Sequence, residues 1–237
     1  KTIGWVVKHT DLMNVLFNEI NDIKNIFFCS TLDSFNKKSF DYKFIATGAN
    51  STYQKNNNFL DIKKSYNQSC LTFEVLVRGN SYGRAYEIFT EEGPLALLPL
   101  DTNRYQIIWT ASTSKSIDRL NSSKSFLLDN LSTKLPNNFY LDQIDSDINI
   151  FPVSLSFCLP IFNFSRLVVV GDSFHTFHPV GGQGLNTCWR DVNDIFDILN
   201  RDITKGSKAL KIFKYKYYLK RFIDISSTIM ITDSLIT

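Results

Sequence analysis

Residues 166–199 read RLVVVGDSFHTFHPVGGQGLNTCWRDVNDIFDIL, and this stretch decides the fold. Arg166 to Val170 is a continuous apolar run of the kind that a parallel sheet buries on both faces. It delivers Gly171 and Asp172 at its C-terminal end, where ligands sit in open α/β sheets. Gly171 permits close backbone approach, and Asp172 can accept hydrogen bonds from sugar-like hydroxyls. An aspartate at a strand end also suits a simple cap of the next turn; the surrounding pattern tips the reading towards binding. Pro179-Val-Gly-Gly-Gln-Gly184 then forms a loop with little side-chain bulk. A helix opens near Leu185 and Asn186, and its unpaired N–H groups would stabilise an anionic group.

Outward from this stretch the chain alternates. Ile3 to Val7 reads as a strand, Thr10 or Asp11 as an N-cap, and Leu12, Val15, Leu16 and Ile20 as one helix face. Asn25 to Ser30 and Tyr42 to Ala46 read as further strands. From about Gln68 the texture changes to β-rich runs separated by Gly, Asn, Pro and Asp, which predicts antiparallel strands through Ser112. Ser116 to Leu131 has a helical pattern, and Asn137 to Phe164 is ambiguous. Lys208 to Ile231 predicts a last helix, a surface helix with its Tyr and Leu packed inward. The fold expected is mixed α/β with a second, antiparallel sheet region.

Composition limits the alternatives. The 237 residues carry a formal charge of +3 without a basic block, which argues against nucleic acid as a partner. Cys29, Cys70, Cys158 and Cys188 form no CxxC or CxxH pair and predict four buried, reduced thiols, which suits a cytoplasmic setting. The most apolar stretch, Ile148 to Phe164, is broken by Pro152 and Pro160 and does not read as a membrane span. Both ends read as cut, so the expectation is a piece of a longer protein. His175 and His178 lack a third ligand at recognisable spacing, so they are expected to order their loop by hydrogen bonds rather than hold metal. Glu87, Glu91 and Glu92 read as a solvated loop.

The pattern GDxxHxxHPxxGQGLNxxxRD resembles the second FAD signature of aromatic hydroxylases. Gly83 to Leu100, GRAYEIFTEEGPLALLPL, resembles a stretch of the ubiquinone-biosynthesis (2-polyprenylphenol) hydroxylases. The opening IGWVV and FIATGANS at Phe44 to Ser51 fall in that family's order. The resemblance implies an incomplete FAD-binding, Rossmann-like domain with an inserted antiparallel substrate domain. Its boundaries would be 1–66 and 165–237 for the FAD-binding part and 67–164 for the insertion. It implies that Asp172, beside Gly171, binds the ribityl chain. Pro179, Gly182, Gln183, Gly184, Leu185 and Asn186 would form the flavin loop, with Arg190 and Asp191 supporting helix and loop. The implied activity is NAD(P)H- and O2-dependent hydroxylation of a polyprenylated aromatic ring in quinone biosynthesis. An apolar tail on the substrate implies peripheral membrane contact, and a quinone-biosynthesis complex is an implied partner. A non-catalytic, flavoprotein-like scaffold is the alternative.

Three departures from the family pattern stand out. No GxGxxG run occurs in the sequence. Thr47 and Gln54 stand where the family's DGANSxxR motif has Asp and Arg. Ser173 and Phe174 replace small residues after the GD pair, and Phe174 is bulky for a position beside a cofactor.

Overall fold

The computed structural model describes residues 4–29, 40–49, 60–78, 83–137, 139–159, 167–203 and 207–236. Gln54, Arg166 and the Asn-Ser end of the GANS run lie outside them. Two sheets organise the chain. The smaller is a parallel pair, β1 (Lys43–Ile45) beside β8 (Leu167–Val169), with Ile45 opposite Val169. Ile45, Val168 and Val169 are buried, as an apolar run in a parallel strand requires.

The larger sheet is antiparallel. Its strands are β2 (Leu60–Arg78), β3 (Tyr86–Thr90), β4 (Gly93–Pro99), β5 (Arg104–Ser112), β6 (Tyr140–Ile144), β7 (Asn149–Leu159) and the two-residue β9 (His175–Thr176). Their order is β3-β4-β5-β2-β7-β9, and β6 also pairs with β2. β2 is long enough to pair with β7 along Leu60–Thr72 and with β6 along Val75–Arg78. Its register shifts between Ser65 and Gln68, where Asn67 takes a positive φ of 53°.

One face of this sheet is dry. Leu71, Phe73 and Val75 from β2, Leu95 and Leu97 from β4, and Tyr105, Ile107 and Trp109 from β5 alternate inward. Two helices, α2 (Thr113–Leu120) and α3 (Lys124–Ser132), follow β5. Leu127 and Leu131 of α3 join that core. The expected single helix is thus two, separated at Ser123, whose hydroxyl caps α3 by accepting from the Phe126 N–H at 3.2 Å. Arg119 lies over the Trp109 ring, 3.8 Å to its centroid, and pairs with Glu92. The Arg119 and Lys115 contacts hold the Glu92 carboxyl at about 2, so Glu92 is an ion-pair anchor and not part of a solvated loop.

Two long helices close the chain, α4 (Gln183–Ile203) and α5 (Ser207–Ser234). Phe213, Tyr217, Tyr218 and Ile225 of α5 pack with Val168, Val169 and Phe174 in a second core. Leu219 and Tyr215 point the other way, 68% and 54% exposed, so of the expected inward face only Tyr217 and Tyr218 are buried among the described residues. No helix among the described residues is long and apolar enough to cross a membrane.

The N-terminal expectations are corrected in part. α1 (His9–Asn21) forms, but its N-cap is Lys8 rather than Thr10 or Asp11, and no side chain caps it. Residues 4–8 and 26–29 are not strands; neither run pairs with another among the described residues. β-rich composition makes a strand only where a neighbouring edge completes its hydrogen bonds. The thiols also divide: Cys70 and Cys158 are buried, Cys188 is half-buried and Cys29 is exposed.

Gly93 opens β4 with φ at 139°, and an added Cβ would stand 2.8 Å from the Thr110 carbonyl oxygen. That atom is backbone and cannot rotate away. Gly93→Ala is expected to cost about 2–3 kcal/mol by strain alone, read as a lower midpoint in chemical denaturation. An unchanged midpoint would mean that the β4–β5 pair yields at no cost.

Candidate functional site

The site begins where β8 ends. Val170 still donates to Ile45 O at 3.0 Å, and then Gly171 takes a left-handed φ of 59° and the chain enters one 3-10 turn, Gly171–Ser173. The Phe174 N–H returns to Gly171 O at 2.7 Å. Phe174 O then accepts the Cys158 N–H at 2.8 Å, and His175 and Thr176 pair with Phe157 and Ser156. The Gly-Asp turn is thus the point at which the chain leaves the parallel pair and joins the edge of the antiparallel sheet.

Asp172 is exposed at this crossing. Its carboxylate accepts from Cys188 Sγ at 3.6 Å. Burial first, then the charges of Asp172 and Asp191, push the Cys188 thiol up to about 12, so it stays protonated and able to donate. Asp172 rims a cavity of about 570 Å³. Its walls include Cys70, Thr72 and Ile108, on the sheet face opposite the dry core, with Phe151 and Val153 of β7. Thr176, Phe177 and Pro179 line it from the Gly-Asp side. The Ser156 and Thr176 hydroxyls stand 2.9 Å apart and are the polar link between these walls.

The glycine loop leads from this cavity into α4. Gly181 and Gly182 have φ of 71° and 59°, and a Cβ on either, or on Gly184, would meet nothing within 4 Å. That loop face is open space beside the first turn of α4. The Gly182 N–H donates to Pro179 O at 3.0 Å, and the Gln183 side chain closes back on Gly181 O at 3.1 Å. The Asn186 amide donates to Gly182 O at 3.4 Å, and Leu185 is exposed. All of the expected site residues therefore lie on one continuous turn, loop and helix start. Glu87 of β3, an exposed residue, also belongs to this region: partial desolvation raises its carboxyl, and the Gly181 backbone N–H offsets part of that rise.

Both histidines are engaged in hydrogen bonds. His175 is buried, and its Nε2 lies 2.9 Å from Asp191 Oδ2. Nδ1 of the buried His178 accepts the Val180 N–H at 3.2 Å, so Nε2 carries the proton and donates to Gln68 Oε1 at 3.0 Å. His178 thereby ties the glycine loop to β2. Tyr66 of β2 packs edge-on against the His178 ring, and its hydroxyl donates to Asp233 near the end of α5.

The departures from the expected motif have physical partners. The Thr47 N–H donates to Ser173 Oγ at 2.8 Å, and Ser173 Oγ donates to Gly48 O at 3.2 Å. The two departures thus bind each other. Phe174 does not crowd a ligand: it is 1% exposed and packs against Phe157 and Tyr218. Sequence reasoning missed Arg221, 1% exposed, whose Nε donates to Asp191 at 2.6 Å. The only local signal was a cation between apolar helix positions.

The model of the FAD binding domain family matches residues 46–215. Among curated proteins, "Uncharacterized protein slr1300" of Synechocystis sp. is 34% identical over 160 residues, covering 65% of this chain and 38% of that protein. The 3-demethoxyubiquinol 3-hydroxylase of Escherichia coli is 28% identical over 182 residues, covering 76% of this chain and 46% of that one. The chain therefore spans less than half the length of these two relatives. Among solved structures, PqsL of Pseudomonas aeruginosa, in complex with 2-aminobenzoylacetate, superposes with a TM-score of 0.65 at 16% identity, over 81% of this chain and 54% of that one. CmlS, a flavin-dependent halogenase, gives 0.62 at 16% identity, over 78% and 34%. These likenesses show the fold: mixed α/β, with the antiparallel sheet set into the FAD-binding architecture.

Burial pushes the His178 imidazole from its ordinary 6.5 down to about 4, partly opposed by the charge of Asp233. A folded value below the unfolded one means that this group's contribution is complete above about 6.5 and is lost as pH falls towards 4. The His178 ring is expected to stay neutral, with its proton on Nε2, from pH 7 to about 5 in an NMR titration. The stability difference between the unaltered chain and His178→Gln should shrink over the same descent. A ring titrating near 6.5 would show that the loop-to-sheet link is open in solution.

Proposed function

This chain belongs to the FAD binding domain family, and we propose that it forms the flavin-ring and substrate side of an NAD(P)H- and O2-dependent aromatic hydroxylase. One observation carries the reading: Asp172, Pro179 at the start of the glycine loop and the free face of the antiparallel sheet line a single cavity of about 570 Å³. The residues present fit the flavin half of FAD. Asp172 is an exposed acceptor for ribityl hydroxyls, and the loop's open face offers no side chain to obstruct a planar ring. The first turn of α4 has N–H groups without intrahelical partners, which favour negative charge beside them. The sequence holds no GxGxxG cradle for the ADP half.

Within this proposal the site residues are Gly171, Asp172, Pro179, Gly182, Gln183, Gly184, Leu185 and Asn186. The division at residues 66–67 is supported by the bulge between Ser65 and Gln68, where β2 changes register. Flavin, when bound, supplies the redox chemistry between NAD(P)H, O2 and the ring. The chain's own residues orient and exclude. Ile108, Phe151 and Val153 offer an apolar wall to an aromatic ring, and the Ser156–Thr176 hydroxyl pair offers it a polar contact. The α4 N–H groups would stabilise charge that develops at the ring edge they face.

The substrate proposed is a polyprenylated phenol of quinone biosynthesis. The reading is supported by the 3-demethoxyubiquinol 3-hydroxylase relative and by the GRAYEIFTEEGPLALLPL stretch, which supplies β3 and β4. Such a substrate implies work in the cytoplasm at a membrane surface, alongside other quinone-biosynthesis proteins. The second reading, a scaffold that holds no cofactor, is favoured by one observation: Thr47 replaces the family's acidic residue and pairs with Ser173.

Titration of the purified chain with FAD distinguishes the two. A saturable shift of the flavin absorption and fluorescence is expected, weakened about tenfold or more, roughly 1.4 kcal/mol, in Asp172→Ala. A flavin spectrum that never departs from that of free FAD would sink the enzyme reading for this chain and leave the scaffold.

A further inference from the structure

We propose that Asp191 is a positioning residue of the flavin site, acting on Asp172 through the Gly171 N–H. The proposal rests on the flavin reading given above. Asp191 lies on α4 and is 1% exposed. Its Oδ2 accepts two hydrogen bonds, from the Gly171 N–H at 2.8 Å and from His175 Nε2 at 2.9 Å. Its Oδ1 accepts from Arg221 Nε at 2.6 Å. His175 therefore carries a proton on Nε2, and its buried Nδ1 has no hydrogen-bond partner among the described residues.

The geometry assigns Asp191 a task that a helix side chain seldom has. A left-handed residue at a strand end turns its N–H away from the sheet, and that donor needs an acceptor when it is shielded from water. Asp191 supplies one from α4. The Gly171 carbonyl is held from the other side by the Phe174 N–H at 2.7 Å. Asp172 sits inside a turn clamped at both ends, so the direction of its carboxylate follows from the grip on Gly171. Arg221 fixes Asp191 in turn, and is itself held by Asp224 at 2.7 Å and Asp194 at 3.4 Å. The support of Asp172 thus runs through Asp191 to α5, 49 residues away in sequence (221 − 172).

Asp191→Asn keeps the shape and removes the grip. A carboxylate is acceptor-only, whereas the amide must present its NH2 to Arg221 or to the Gly171 and His175 donors. Either way a donor faces a donor. A residue that only supported the fold would weaken FAD binding, if at all, by the same factor whether or not Asp172 is present. A residue that acts through Asp172 would not.

The experiment is a double-mutant cycle on FAD affinity, read by flavin fluorescence, with the unaltered chain, Asp172→Ala, Asp191→Asn and the double variant. Thermal unfolding of each serves as the folding control. Asp191→Asn is expected to weaken FAD binding about tenfold in the unaltered chain and less than about twofold when Asp172 is already Ala. Full affinity in Asp191→Asn, or the same loss in both backgrounds, overturns the proposal and leaves the flavin site standing. No FAD binding by the unaltered chain overturns the flavin reading and this proposal with it. Should Asp191→Asn fail to fold, Gly171→Ala takes its place. It strains the same turn while its Cβ meets only Cys188 Sγ at 3.6 Å, and it must show the same dependence on Asp172 or the proposal fails.

Discussion

A carboxylate and a guanidinium, Asp191 and Arg221, meet at 2.6 Å with each side chain 1% exposed. The rest of the structure depends on this contact. Burying either charge alone is prohibitive, and removing one partner of such a pair typically costs about 3–5 kcal/mol, since the other is left uncompensated. The pair survives because every side of it is occupied. Arg221 reaches Asp194, Asp224 and the Thr187 carbonyl; Asp191 takes Gly171 and His175. Outer cations complete the balance, Lys220 on Asp194 and Arg190 on Asp224. The two long helices are held in register by this charge network, while the aromatic packing of Phe174 against Tyr217 and Tyr218 ties α5 to the turn after β8.

What could be read from the sequence follows a simple division. The apolar run before Gly171, the glycine loop and the helix after it were legible because each is local; the helix opens at Gln183 rather than near Leu185, so Gln183 and Gly184 of the expected loop are its first residues. The antiparallel middle was legible through its turn residues. β6 and β7 were not, although Val153-Ser-Leu-Ser-Phe157 carries the alternation of a half-buried strand and its odd positions are buried. Two prolines and the neighbouring asparagines masked that period. The short strands expected at Ile3–Val7 and Asn25–Ser30 do not form over the described residues 4–7 and 25–29, for the opposite reason: their composition is right, but strand formation is settled by a partner edge. The site's support was the least legible part. Arg221 lies 30 residues from Asp191, and Glu92 lies 27 from Arg119. No local pattern announces a buried pair of that span.

Thr47 and Ser173 show why motif departures are better judged in pairs. Singly, each weakens a resemblance. Together they form a hydroxyl-to-backbone contact between the end of β1 and the turn after β8, the two strands whose parallel pairing sets the site. Phe174 follows the same logic. Its bulk, incompatible with a ligand-facing position, is what fills the core behind the turn, so the residue that looked like an obstruction is the floor on which the turn rests.

The cavity's two walls come from different parts of the chain, and their relation is what a ring sandwiched between them would sense. One wall is the sheet face of β2, β5 and β7; the other is Asp172 of the Gly-Asp turn with Thr176, Phe177 and Pro179. Three of the contacts that join them are β9 pairing with β7, the Ser156–Thr176 hydroxyls, and His178 reaching Gln68 on β2. The first two are short and local to one edge. Of these, His178 alone crosses from the loop to the central strand, and it can do so only while neutral, because Nδ1 must accept from Val180 as Nε2 donates to Gln68. A protonated ring would turn a second donor towards the Val180 N–H and release the loop. Burial of His178 therefore does more than hide a polar group. By keeping the ring neutral, it keeps the loop bonded to β2, whose free face forms one wall of the cavity.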